Sequence, residues 1–265
     1  MSVIKIQHLT KDYGNHKGLF DLSFEVSKGE VFGYLGPNGA GKTTTIRHLL
    51  GFLSPDNGTC EINGLNCRTQ AATIQKELGY LPGEIAFFDD MTGMQFLKFM
   101  AQMRGMKDFS KAQRLIEQFE LDTKVRIKKM SKGMKQKVGI ICAFMHDPQV
   151  LILDEPTSGL DPLMQNKFVE LILEEKQRGK TIIMSSHSFE EVERTCDRVG
   201  IIKSGELVTI ESVSTLKASQ RKVYVLTFES EAAASQFANE PVEVVSVKQN
   251  EVHVSVNGSL PEFLK

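Results

Sequence analysis

Gly36-Pro37-Asn38-Gly39-Ala40-Gly41-Lys42-Thr43-Thr44 follows an apolar run, Val31-Phe32-Gly33-Tyr34-Leu35, and leads into a helical pattern, Ile46-Arg47-His48-Leu49-Leu50. The stretch fits G-x-x-x-x-G-K-[ST], a loop that joins a strand to a helix and wraps phosphate groups. The glycines let the backbone turn its N–H groups onto phosphate oxygens, and the helix N-terminus adds partial positive charge. Lys42 is long enough to reach the β- and γ-phosphates, and the Thr43 hydroxyl is a ligand for Mg²⁺. The expected ligand is a nucleoside triphosphate with Mg²⁺, and the expected fold is α/β.

Two further stretches extend this reading. Val150-Leu151-Ile152-Leu153 and Thr181-Ile182-Ile183-Met184 are continuous apolar runs, the pattern of strands buried on both faces. A charged helical segment, 162–178, and Gly179 separate them, so strand–helix–strand connectivity and a parallel sheet are expected. Asp154 and Glu155 close the first run and Ser185-Ser186-His187 the second. The C-terminal ends of parallel strands form the ligand side of such sheets. Asp154 is expected to complete the Mg²⁺ shell, and Glu155 to polarise an attacking water as general base. His187 is expected to bind the γ-phosphate and hold that water in line. Acids at a solvent-facing strand end and a structural histidine are the bland alternatives; the phosphate loop upstream favours the chemical ones.

The 265 residues carry 32 Lys+Arg against 33 Asp+Glu, a net charge of −1, which argues against a nucleic-acid partner. Cys60, Cys67, Cys142 and Cys196 form no C-x-x-C pair, so they read as reduced thiols. No apolar stretch is long enough to span a bilayer, and Met1-Ser2-Val3-Ile4-Lys5 lacks the layout of a signal peptide. A cytoplasmic chain is expected, with any membrane-spanning helices supplied by a partner.

Residues 3–9 and 19–26 alternate as strands, with Phe20, Leu22, Phe24 and Val26 on one face. Between them, Lys11-Asp12-Tyr13-Gly14 reads as a turn with an exposed aromatic. Residues 92–145 are helical in pattern, and Ser131 is a good N-cap within Met130-Ser131-Lys132-Gly133-Met134-Lys135-Gln136-Lys137. After Ile210 the composition shifts. Residues 211–221 read as a Ser/Thr/Lys-rich linker, and 222–265 as a small α+β unit that breaks off at a helix start, Phe263-Leu264-Lys265, which suggests a C-terminal truncation.

In this order, Tyr13, the Gly36–Thr44 loop, Ser131-Lys132-Gly133-Met134, Leu151–Glu155, Ser158-Gly159-Leu160-Asp161 and His187 resemble the nucleotide-binding subunit of an ATP-binding cassette (ABC) transporter. The resemblance covers about residues 1–210. It implies a P-loop NTPase cassette with a mixed or parallel core sheet, an antiparallel β subdomain and a helical subdomain over about 84–147. It also implies that Tyr13 stacks on the adenine of ATP, that Ser131 and Gly133 complete the ATP site of a facing subunit, and that Asp161 lies at the contact between two such subunits. The implied partners are a second ATPase subunit and an integral-membrane permease, with the chain peripheral on the cytoplasmic face of the membrane.

The Ser-Lys-Gly-Met-Lys-Gln segment and the trailing unit resemble the ATPases of bacterial ABC-2-type exporters of drugs and antibiotics. In that light Phe87, Phe88, Met94, Phe96, Phe99, Met100 and Met103 are candidates for the permease docking groove, although a plain helical core would look the same. Two positions depart from the family pattern. Lys132 replaces the first Gly of L-S-G-G-Q, and Gly83 stands where the family has a Gln, with Glu84 beside it as a candidate substitute. A soluble cassette ATPase and a non-hydrolysing ATP-binding module are the alternatives; intact Glu155 and His187 argue against the second.

Overall fold

The computed structural model describes residues 1–219, 221–240 and 242–257, so the helix start expected at Phe263-Leu264-Lys265 lies outside the described residues. The chain divides between Glu211 and Ser212 into two compact units.

The first unit opens with β1 (Ser2–Asp12) and β2 (Gly18–Ser27), an antiparallel pair, followed by β3 (Val31–Leu35) and α1 (Lys42–Leu49). β4 (Asn57–Ile62) and the short β5 (Leu65–Asn66) complete a four-stranded antiparallel sheet in the order β2-β1-β4-β5. Its alternation is not the uninterrupted one expected. Leu19 is fully buried and Phe20 only half-buried, because the β1–β2 register shifts between Leu9 and Lys11 and Asp21 takes a left-handed φ of 54°. That bulge re-aims one end of the strand. Phe24 stacks on Phe32 with ring centroids 5.2 Å apart, which ties the antiparallel sheet to the central one.

Next come α2 (Ala71–Glu77) and β6 (Leu78–Leu81), then α3 (Gly93–Met103), α4 (Ser110–Gln118) and α5 (Lys132–Phe144). Thr92 and Gln95 form a capping box at the start of α3, and Ser131 caps α5 by accepting from the Met134 N–H at 3.2 Å. Both α3 and α4 pack on α5. β7 (Val150–Asp154), α6 (Pro162–Gln177), β8 (Thr181–Ser186), α7 (Phe189–Thr195), β9 (Arg198–Lys203) and β10 (Glu206–Ser212) finish the unit. The central sheet runs β10-β9-β3-β8-β7-β6, and β6, β7, β8, β3 and β9 are parallel. Register puts Leu35 opposite Ser186 and Asp154 opposite Ser185. The phosphate loop, the acids and His187 therefore leave three neighbouring strands at the same end.

The second unit has α8 (Val213–Ser219), β11 (Arg221–Thr227), α9 (Glu231–Phe237), β12 (Glu243–Lys248) and β13 (Glu251–Asn257). Its sheet order is β11-β13-β12, all antiparallel, and α9 packs Ala234 against Val252 and Val254. The stretch read as a linker is instead the end of β10 and the helix α8. Ser212 Oγ accepts from the Thr215 N–H at 3.0 Å, capping a helix whose polar composition imitates a linker.

Candidate active site

The loop after β3 closes tightly at its first glycine. A Cβ on Gly36 would lie 2.4 Å from the carbonyl oxygen of Ile202, so no side chain fits. Gly39 and Gly41 hold φ values of 78° and 113°, which L side chains rarely adopt. α1 starts directly at Lys42, so its first-turn N–H groups point out of the loop as an anion site.

Lys42 is 5% exposed, and its Nζ donates to the carbonyls of Gly36 at 2.7 Å and Pro37 at 3.2 Å. The same Nζ lies 3.1 Å from Glu155 Oε1. That contact is an ion pair rather than a directed hydrogen bond, since Oε1 is otherwise unpaired. The second carboxylate oxygen, Oε2, is 2.6 Å from His187 Nδ1. Glu155 thus bridges the cradle lysine and the histidine that follows β8.

Thr43 Oγ1 donates to Asp154 Oδ2 at 2.9 Å, and the fully buried Ser185 Oγ donates to Oδ1. Ser185 Oγ also accepts from the Glu155 N–H at 3.0 Å. Among the described residues no group of three or more His, Cys, Asp and Glu could hold a metal alone. Thr43 and Asp154 nevertheless offer two hard oxygen ligands at the cradle. That is the sparse protein share Mg²⁺ takes when phosphates and waters supply the rest.

Two cavities open beside this cluster and share Asn38, Thr43 and Glu155. One, of about 530 Å³, runs along Tyr13, Lys17, Gly39, Lys42 and Thr44. The other, of about 700 Å³, runs along Tyr80, Gly83, Glu84, Lys132, Gln136 and His187. Tyr13 is 54% exposed, with the Lys11 ammonium 5.9 Å from its ring centroid. Burial, with a smaller push from Asp154, raises the Tyr80 phenol to about 12, so it enters as a neutral donor. Burial also raises the carboxyl of Glu191, which accepts from Ser186 Oγ at 2.6 Å, next to His187 in the chain.

The fold brings together Tyr13, the Gly36–Thr44 loop, Asp154, Glu155 and His187. Ser131, Gly133 and Asp161 line neither cavity. Ser131 caps α5, Asp161 caps α6 by accepting from the Met164 N–H at 3.0 Å, and a Cβ on Gly133 would lie 2.7 Å from the Gly159 carbonyl. Lys132 Nζ donates to Ser158 Oγ at 2.9 Å. Gly83 lies beside the acid cluster, since a Cβ there would be 3.3 Å from Asp154 Oδ2, and exposed Glu84 lines the cavity next to it. Sequence reasoning missed the part played by Ser185 and Gln136. The position of Ser185, opposite Asp154 on a neighbouring parallel strand, was available as a signal; the reach of Gln136 was not.

Known proteins resemble the chain in sequence and in fold. The family described as ABC transporter matches residues 19–158. The chain is 42% identical to an uncharacterized ABC transporter ATP-binding protein of Methanocaldococcus jannaschii, over 77% of this chain and 76% of that one. It is 39% identical to the bacitracin transport ATP-binding protein of Bacillus licheniformis, over 83% and 73% of the two chains. A solved structure of the ATP-binding subunit of an ABC transporter superposes with a TM-score of 0.74 at 31% identity, covering 82% of this chain and 92% of that one.

Proposed function

The chain belongs to the ABC transporter family as one of its ATP-hydrolysing subunits, and from that premise we propose that two copies close on two Mg·ATP and drive export through a separate integral-membrane permease. The observation that carries the reading is Glu155, held at the cradle mouth between Lys42 at 3.1 Å and His187 at 2.6 Å.

In this account the N–H groups of the Gly36–Thr44 loop and the Lys42 ammonium bind the phosphates, and Tyr13 stacks on adenine. Thr43 and Asp154 would hold Mg²⁺, which when bound would offset negative charge on the phosphate oxygens. Glu155 takes a proton from the attacking water, and His187 keeps that water and the γ-phosphate in line. Catalysis is then positioning plus electrostatic stabilisation by groups already fixed in place.

Ser131 and Asp161 cap helices of their own subunit, Gly133 packs on Gly159, and none of the three lines the cavities at its cradle. Their proposed work is across an isologous interface, where the α5 N-terminus of one copy meets the γ-phosphate held by the other. Triphosphate then favours the closed pair and diphosphate does not, a population shift set by differential binding.

No helix among the described residues is long and apolar enough to cross a membrane. The chain is proposed to be peripheral on the cytoplasmic face, held there by the permease. Phe88, 55% exposed and edge-on to Phe99 at 5.5 Å, offers an aromatic contact for the permease. The likeness to a bacitracin transport protein favours a drug or antibiotic as the exported class. A non-hydrolysing ATP-binding module is not favoured, because Glu155 and His187 are paired at the cradle.

Light scattering of the Glu155→Gln chain tests the sandwich. A dimer in Mg·ATP that reverts to monomer in Mg·ADP is expected. Ser131→Arg should abolish the dimer and leave nucleotide binding to the monomer intact. A monomer under all conditions would count against the proposal.

A further inference from the structure

Glu155 takes a left-handed backbone conformation, φ 49°, at the point where β7 turns into the 155–159 loop. A non-glycine residue there is strained and persists only where its surroundings over-determine it. Two side chains hold it. Ser185 Oγ accepts from the Glu155 N–H at 3.0 Å. Gln136, on the first turns of α5 and 4% exposed, turns its amide to the carbonyls that follow: Nε2 donates to the Pro156 carbonyl at 2.8 Å and reaches the Glu155 carbonyl at 3.4 Å. A buried amide that donates to the Pro156 carbonyl with the Glu155 carbonyl in reach restrains the peptide units on both sides of Pro156, and with them the direction of the Glu155 side chain.

We propose that Gln136 is a positioning residue for Glu155, holding the carboxylate toward the cradle by pinning the backbone on both sides of Pro156. The proposal rests on the reading of Glu155 as the base. Gln136 acts through the backbone, since its amide is spent on the Glu155 and Pro156 carbonyls. It also stands on the helix whose N-terminal turn carries Ser131 and Gly133, and Lys132 holds Ser158 of the same loop at 2.9 Å. A single rigid helix therefore carries the surface presented to the partner copy and the support of its own Glu155. Closure on a partner and alignment of the base are coupled through Gln136.

The test is a cycle of Gln136→Met and Glu155→Gln, read as kcat, KM for ATP and nucleotide affinity. Gln136→Met is expected to lower kcat by about 10- to 100-fold, the scale of a small misplacement of a reacting group, with nucleotide affinity within about twofold of wild type. In the Glu155→Gln background the same change is expected to cost nothing further, because its route has been removed. Wild-type kcat in Gln136→Met, or an equal fold-loss in both backgrounds, would overturn the proposal. Full turnover in Glu155→Gln alone would instead remove the reading of Glu155 as base. Gln136→Glu keeps the shape should Gln136→Met fold poorly. Its carboxyl can donate only while protonated, so its kcat relative to wild type should fall as pH rises; a constant ratio would contradict the assignment.

Discussion

His187 Nδ1 lies 2.6 Å from Glu155 Oε2, so the histidine that follows one buried strand meets the acid that follows its neighbour. β7 and β8 are adjacent and parallel, and Asp154 pairs in register with Ser185, so Glu155 and His187 leave neighbouring strand ends one and two residues beyond that pair. A base needs its orientation fixed before it needs its pKa adjusted, and this pairing supplies the orientation.

His187→Ala should therefore lower kcat by about 10²-fold, a typical share for a group that aligns proton transfer. Nucleotide affinity should stay within about twofold, since the phosphate loop is untouched. Steady-state turnover and equilibrium titration with a fluorescent ATP analogue check the two halves separately.

The loop glycines should separate folding from binding. Gly36→Ala places a methyl 2.4 Å from a backbone oxygen of Ile202, so it is expected to cost about 2–3 kcal/mol of stability, as forced overpacking does. Gly39→Ala meets nothing within 4 Å, and only its φ of 78° is unfavourable. About 1 kcal/mol is expected there, with the added methyl at the cradle weakening nucleotide binding. Thermal melts and nucleotide titrations of the two variants should show opposite emphases.

Acid should destabilise the chain in two separate windows. Burial, helped by the charge of Arg104, holds the His146 imidazole down at about 4. The unfolded chain binds that proton below about pH 6.5, so stability present above that value is lost as pH falls toward the folded pKa. Between pH 7 and pH 5 the loss should be about 2 kcal/mol, and His146→Gln should flatten the slope. Burial pushes the Asp147 carboxyl up, but donation from Lys111, Lys180 and Arg178 outweighs it and holds the group well below the usual carboxylate range. Its contribution is present above about pH 4 and is lost only below it. Urea melts across that range separate the two.

Much of the fold was legible because the decisive signals are local. The glycines of 36–41 announce a tight loop, and Val150–Leu153 and Thr181–Met184 are apolar without interruption, as only strands covered on both faces need to be. Parallel strands then carry Asp154, Glu155 and His187 to one edge by geometry alone. What stayed hidden depends on partners distant in sequence. Gln136 reads as one more polar residue on a helix until the helix docks against the Pro156 carbonyl 20 residues later. The β1–β2 bulge at Asp21 swaps the facing of Leu19 and Phe20, which alternation cannot foresee. α8 is polar enough to pass for a linker, and its cap, Ser212, is legible only once the helix is known.

The most direct test of the central claim is ATP turnover of the purified chain as a function of ATP concentration, beside the Glu155→Gln variant. Sigmoidal dependence in the wild type, together with a loss of at least about 10²-fold in the variant at unchanged ATP affinity, is the predicted result. Turnover that survives the loss of the Glu155 carboxylate, or that rises with no cooperativity while the chain stays monomeric, would contradict it.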